Sequence, residues 1–241
     1  MADCNAALIF EGAAKSFGKS VVFRNLELQV DRGSFVGLAG VNGAGKTTLI
    51  KCLLDFCALD EGRITIFGVP HVESRARARL AYLPERFNPP GFLKGRDFLS
   101  LSLKLHGADP DSAAIFEMLE ELDLERDTLE KPVRAFSKGM AQKLGLAACF
   151  LSGKELFVLD EPMSGLDPKA RALVKMKLLK LRDAGKTLLF TSHSLLEMSE
   201  LCDRMAVLHE GELSFLGASG QLLSISQKES IEQAFLTCIG G

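Results

Sequence analysis

The stretch GLAGVNGAGKTTLIKCLL, Gly37 to Leu54, constrains the fold more than any other part of this sequence. Glycines stand at 37, 40, 43 and 45, and the run then turns into a lysine, two threonines and apolar residues. Glycine adopts positive φ freely and carries no Cβ, so consecutive N–H groups in such a loop can turn inward around an anion. A helix opening directly behind the loop adds about half a positive charge at its N-terminus. Gly40 to Thr47, GVNGAGKT, fits the phosphate-loop pattern G-x-x-x-x-G-K-[ST]. The apolar runs before and after it supply the strand and the helix that this pattern needs. Lys46 is then expected to reach the β- and γ-phosphates of a nucleoside triphosphate, and the Thr47 hydroxyl to ligate Mg2+.

A strand buried on both faces implies a parallel sheet covered by helices. FVGLAG, LFVLDEP and TLLFTSH are continuous apolar runs of that kind. AALIFEG, VVFRNLELQV, RITIFG, MAVLHEG and ELSFLG, nearer the chain ends, are expected to be half-exposed antiparallel strands. Ile115, Met118, Leu119 and Leu122 recur at helical spacing behind Asp111, a suitable N-cap. Val174, Leu178 and Leu181 form a second helical stripe that Gly185 can close. From about 86 to 134 no strand is evident, and the Pro- and Gly-rich PERFNPPGFLKG marks the entry to a helical insertion. Residues 1–241 are expected to form one domain. About 1–85 and 135–220 make its core, about 86–134 a helical subdomain, and 221–241 a short tail.

A phosphate loop needs a carboxylate at the end of a neighbouring buried strand to hold its metal. LFVLDEP provides two: Asp160 to bind Mg2+ through Thr47 or water, and Glu161 to polarise an attacking water as general base.

Three more segments accompany these. FSKGMAQKLGLA (Phe136 to Ala147) resembles the signature loop and helix of ATP-binding cassette (ABC) transporter subunits, usually written LSGGQ. SGLDP (Ser164 to Pro168) matches the loop after that family's catalytic carboxylate, with Asp167 in place, and His193 in TSHSL matches its switch histidine. Phe17 in KSFGK matches the aromatic residue that stacks on adenine. The segments follow the family's order and span nearly the whole chain. The resemblance implies an α/β fold: a P-loop NTPase core with a mainly parallel sheet, an N-terminal antiparallel β subdomain and a helical insertion. It implies an ATPase binding ATP and Mg2+ through Gly40, Val41, Asn42, Gly43, Ala44, Gly45, Lys46, Thr47 and Thr48. Lys46, Glu161 and His193 are its catalytic candidates. Ser137, Lys138, Gly139 and Met140 are the signature that reaches a second subunit's nucleotide.

Two departures stand out. Glu85 in YLPERF occupies the place of the family's glutamine, where a carboxylate can join Thr47 and Asp160 as a metal ligand. Lys138 and Met140 replace the usual Gly and Gln of the signature. Both variants resemble those of bacterial exporter-type cassettes. The three carboxylates leave a bound triphosphate short of donors, so the family's head-to-tail sandwich of two cassettes, here most simply a homodimer, is expected. Its other expected partner is an integral membrane subunit gripped by the insertion, with Phe92, Leu93, Phe98 and Leu99 as apolar candidates.

Net charge is −2 and no basic patch is present, which disfavours the alternative of a soluble cassette acting on nucleic acid or ribosomes. The N-terminus MADCNAALIF lacks the basic residues of a signal peptide, and no run approaches the length of a membrane span. A cytoplasmic protein, peripheral on the inner face of the cell membrane, is expected. The cysteines at 4, 52, 57, 149, 202 and 238 have no metal-ligand spacing and are expected to be reduced. The transported substrate is not written in this sequence.

Overall fold

The computed structural model describes residues 5–240. The chain begins with strands β1 (Ala6–Phe17), β2 (Ser20–Asp31) and β3 (Phe35–Ala39), then helix α1 (Lys46–Leu53). Strands β4 (Glu61–Ile66) and β5 (Val69–Pro70) follow, then the short helix α2 (Ser74–Arg77) and strand β6 (Leu80–Leu83). Helices α3 (Gly95–His106) and α4 (Ser112–Glu121) and two 3-10 turns lead to α5 (Lys138–Leu151). Next come β7 (Leu156–Leu159), α6 (Pro168–Asp183), β8 (Thr187–Thr191) and α7 (Leu195–Leu201). The chain finishes with β9 (Arg204–His209), β10 (Glu212–Gly217), α8 (Ser219–Ser226) and α9 (Ile231–Cys238).

Two sheets result. One is antiparallel, in the order β2-β1-β4-β5; the other runs β10-β9-β3-β8-β7-β6 and is parallel except for β10. The parallel strands are apolar throughout because each face meets its own core. Val36 and Leu38 of β3 pack with Leu49 and Ile50 of α1 and with Phe10 and Leu28 of the antiparallel sheet. Phe35, on the opposite side of the pleat, faces α5, α6 and α7 through Leu146, Val174 and Met198. Helix ends follow the sequence as well. Asp111 accepts the Ala114 N–H at 2.8 Å, and Gly185, at φ +72°, turns the chain after α6 so that the Lys186 N–H reaches Leu181 O at 3.0 Å.

The structure corrects the strand readings in two places. LAYL is an additional strand, β6, at the edge beside β7; four residues carry too little pattern to announce a strand. MAVLHEG does not alternate. It forms β9, which is buried and parallel to β3. The N-terminal strands form the expected antiparallel sheet of their own, and β10 is the antiparallel edge of the parallel one. The tail SIEQAFLTCI forms α9, preceded by α8, and Leu222, Ile231 and Ala234 pack it into the larger core.

Between β6 and α5, Leu99, Leu103, Leu119 and Leu129 build a third small core against Leu144 and Ala148 of α5. Leu99 is therefore an interior residue and not a docking one. Phe98 is half-buried with its ring centroid 5.5 Å from that of Phe87, Leu93 is half-buried, and of the four only Phe92 stands broadly exposed. Cys52, Cys57, Cys149, Cys202 and Cys238 are free thiols, and burial pushes that of Cys149 up to about 12; Cys4 lies outside the described residues.

At Gly62 the antiparallel sheet tolerates no side chain. Its φ is +79°, and a Cβ would sit 2.3 Å from Gly12 O beside the bulge of β1. Gly68 shares that φ but faces open space. Gly68→Ala should therefore cost about 1 kcal/mol, the strain alone, and Gly62→Ala about 3 kcal/mol, because overlap adds to strain. Urea unfolding of the two variants measures the difference. Equal losses would mean that β1 yields freely at its bulge.

Candidate active site

The glycine loop leaves the end of β3 and enters α1. A Cβ at Gly40 would lie 2.6 Å from Leu208 O, and one at Gly45 2.7 Å from Val22 Cγ1, so neither position has room for a side chain. No side chain caps α1, which leaves its first N–H groups open to an anion. The Lys46 ammonium folds back over this cradle and donates to Gly40 O at 2.7 Å and Val41 O at 3.2 Å. Burial lowers the Lys46 pKa; Glu161, Asp160 and Glu85 oppose that shift.

The carboxylates stand where β7 ends. Thr47 Oγ1 donates to Asp160 Oδ2 at 3.0 Å, and Thr191 Oγ1 donates to Asp160 Oδ1 at 2.6 Å. The same Thr191 oxygen accepts the Glu161 N–H at 2.9 Å. Glu161 adopts the left-handed region, φ +51°, which costs a non-glycine residue about 1–3 kcal/mol and is held here by its neighbours. Its Oε2 accepts the His193 backbone N–H at 3.2 Å. Its buried Oε1 has no hydrogen-bond partner among the described residues; His193 Nε2 stands 3.4 Å away without hydrogen-bond geometry. Burial raises the Glu161 pKa, with His193 and Lys46 pulling it down in part. Burial, with Asp160 and Glu85 nearby, pushes the Tyr82 phenol up to about 12, so it stays protonated.

A cleft of about 420 Å3 gathers Phe17, Asn42, Gly43, Ala44, Gly45, Lys46, Thr47, Thr48, Glu85, Asp160, Glu161 and His193. Phe17 is 56 % exposed at the end of β1. The signature residues are not in this cleft. Ser137 caps α5, its Oγ accepting the Met140 N–H at 3.2 Å, and Lys138 Nζ lies 3.4 Å from Ser164 Oγ. Ser137 and Lys138 line a second groove of about 590 Å3 with Arg86, Phe87, Arg134 and Phe136, and Glu85 borders both spaces. Asp167 caps α6 by accepting the Ala170 N–H at 2.9 Å.

Three contributors escape the sequence reading. Thr191 holds the Asp160 carboxylate and the Glu161 backbone N–H, Gln142 Nε2 donates to Pro162 O at 2.9 Å from α5, and Val22 of β2 walls the cleft. A hydroxyl closing the apolar run TLLFT is the one sequence signal that marks Thr191.

The donor set fits a nucleoside triphosphate: a cradle too tight for a Cβ, open helix N–H groups, a buried cation and a carboxylate oxygen lacking a partner. Thr47 and Asp160 present hard oxygens suited to Mg2+. Among the described residues no three of His, Cys, Asp and Glu come together to hold a metal by themselves.

The profile of the ABC transporter family matches residues 23–164. An uncharacterized ABC transporter ATP-binding protein of Synechocystis is 39 % identical over 201 residues, 82 % of this chain; the chain spans 57 % of that relative's length. The Nod factor export ATP-binding protein I of Bradyrhizobium diazoefficiens is 38 % identical over 86 % of this chain and 69 % of its own. Among solved structures, the ATP-binding subunit of an ABC transporter superposes with a TM-score of 0.88 at 27 % identity, covering 96 % of this chain and 99 % of its own.

The raised pKa of Glu161 ties stability to pH. A carboxyl whose folded pKa is raised favours folding fully below its unfolded pKa and loses that stability as pH rises through the folded value. Glu161→Gln, a neutral stand-in for the protonated side chain, should therefore unfold at higher urea than the parent at pH about 7. The advantage should shrink on acidification and vanish below 4.5, the ordinary glutamate value. An advantage that grows as pH falls would show that Glu161 is stabilised as the anion.

Proposed function

The chain belongs to the ABC transporter family, and on that premise we propose that it is an ATP-hydrolysing subunit driving a separate membrane-spanning transport protein. One observation carries the reading. The cleft gathers the loop, both carboxylates and His193, while the signature residues of the same chain face elsewhere. Such a site binds a nucleotide on one side and awaits donors on the other.

In this reading Phe17 stacks on adenine, and Gly40 to Thr48 wrap the phosphates with backbone N–H groups. Lys46 leaves its carbonyl partners and turns to the β- and γ-phosphates. Thr47 and Asp160, with Glu85 beside them, would hold Mg2+, which would supply charge neutralisation to the phosphate oxygens. Glu161 presents the free Oε1 to a water and takes its proton as that water attacks. His193, tied to Glu161 through its backbone, contacts the γ-phosphate. The missing donors come from a second copy of the chain. Its Ser137 and Gly139 sit at the N-terminus of α5, Lys138 brings a charge, and Met140 completes the segment. Asp167, at the head of α6, lies in the loop that joins the two sites.

The helices between about 86 and 134 and the groove around Glu85, Arg86 and Phe87 receive the membrane partner, with Phe92 as its exposed apolar contact. The relative named for Nod factor export, together with Glu85 and Lys138 in this sequence, favours export. Among the described residues no helix is long and apolar enough to cross a membrane. In the proposed arrangement the chain works from the cytoplasmic face of a partner that does cross.

Glu161→Gln tests the chemistry and the sandwich together. It should bind ATP, lose about 10^2- to 10^4-fold in ATPase rate, and run as a dimer on a sizing column in ATP. A variant that stays monomeric in ATP would count against the sandwich. Membrane coupling is tested by gentle solubilisation of native cells and capture of the tagged chain. A multi-span protein should co-purify; recovery of the chain with only itself or ribosomes would remove the transporter assignment.

A further inference from the structure

Phe17 poses a positional problem. It is more than half exposed at the last position of β1, beside the Gly18 turn into β2, and its ring must nonetheless present a fixed face to the cleft. The register of β1 against β2 slips on both sides of Lys15, and beyond it only Ser16 opposite Val21 and Phe17 opposite Ser20 hold the strand end to β2.

Asp60, 43 residues further along, adds a second hold from the other side of the strand's last turn of ladder. Its backbone N–H donates to Ala14 O at 2.9 Å. Its carboxylate accepts the Ser16 N–H at 2.7 Å through Oδ2 and the Lys15 ammonium at 2.7 Å through Oδ1. Three consecutive residues before Phe17 are thus clasped by one aspartate. Lys15 then reaches over the ring itself, with Nζ 5.3 Å from the Phe17 centroid and its side chain only 11 % exposed. An ammonium at that distance is attracted to the π face and restrains the tilt of the ring. Their mutual hydrogen bond raises the Lys15 pKa and lowers that of Asp60, which keeps both groups charged at neutral pH. Neither residue lines the nucleotide cleft.

We propose that Lys15 and Asp60 are positioning residues for the base-stacking ring of Phe17, so that the preference for a nucleotide over a bare triphosphate depends on them. The inference rests on the reading of Phe17 as the adenine platform. The ammonium occupies one side of the ring and leaves the other for a flat, electron-rich base. The phosphate cradle is built on β3 and α1, and neither Lys15 nor Asp60 lines it.

The test compares the affinity of Mg·ATP with that of inorganic tripolyphosphate, both measured by calorimetry. Lys15→Met and Asp60→Asn should weaken ATP by about three- to tenfold and leave tripolyphosphate within about twofold, and Asp60→Glu should recover part of the loss. In a Phe17→Ala background, Lys15→Met should change neither affinity. Equal weakening of both ligands would overturn the proposal, because the pair would then serve the loop as a whole. Unchanged ATP affinity in folded Lys15→Met and Asp60→Asn chains would overturn it too. If Phe17→Ala alone keeps the full preference for ATP, the platform reading fails first and the clasp falls with it.

Discussion

A short chain of hydrogen bonds holds the site together. The Thr47 hydroxyl donates to Asp160, the Thr191 hydroxyl donates to the same carboxylate, and the Glu161 N–H donates to Thr191. These links join the first turn of α1 to the ends of β7 and β8, three elements that share no sequence neighbourhood. The parallel sheet makes the meeting possible. β7 and β8 run in register from Leu156 beside Thr187 to Leu159 beside Phe190, so their carboxyl ends deliver Asp160 and Thr191 to the same level. In a low-dielectric setting an unpaired oxygen is costly, and both Asp160 oxygens are paired. Glu161 keeps one without a partner among the described residues.

The same geometry keeps the cleft apart from the SKGM segment of its own chain. Strand ends, the glycine loop and His193 converge on one wall of the cleft, whereas the α5 N-terminus points into a different groove. Among the described residues only Glu85 borders both spaces, because it follows β6 at the sheet edge, where the chain departs for the helical region. The Glu85 carboxylate opposes the burial that lowers the Lys46 pKa and adds to the rise in that of Tyr82.

What the sequence discloses and what it withholds divide along a physical line. The glycine loop is legible because steric and hydrogen-bonding demands fall on neighbouring residues, and LFVLDEP because a strand buried on both faces must be apolar until its last step. β6 stays hidden: four residues between an arginine-rich segment and a proline have no room for a period. β9 misleads because a place near the chain end suggests an edge, while its own side chains, apolar from Met205 to Leu208, fit an interior strand. Thr191 and Asp60 act through partners 31 and 44 to 45 residues away, and no local pattern encodes such pairings. The residues matched by resemblance to the ABC family are all legible as positions, but only the fold separates those that share a cleft from those that do not.

Helix α5 belongs to two interiors at once. Leu144 and Ala148 close the small core of the preceding helices, and Leu146, Ala147 and Phe150 enter the large one. The region from Glu85 to Ser137 has the outline of a detachable module, since it leaves and rejoins the body at one place. Its modularity is nevertheless only topological. Excising it would strip one flank of α5 and lay Leu144 and Ala148 open to water, so any recombination of this region between relatives must carry the matching flank of α5 along. The unit of exchange is therefore larger than the insertion, and its true boundary runs lengthwise through the middle of a helix.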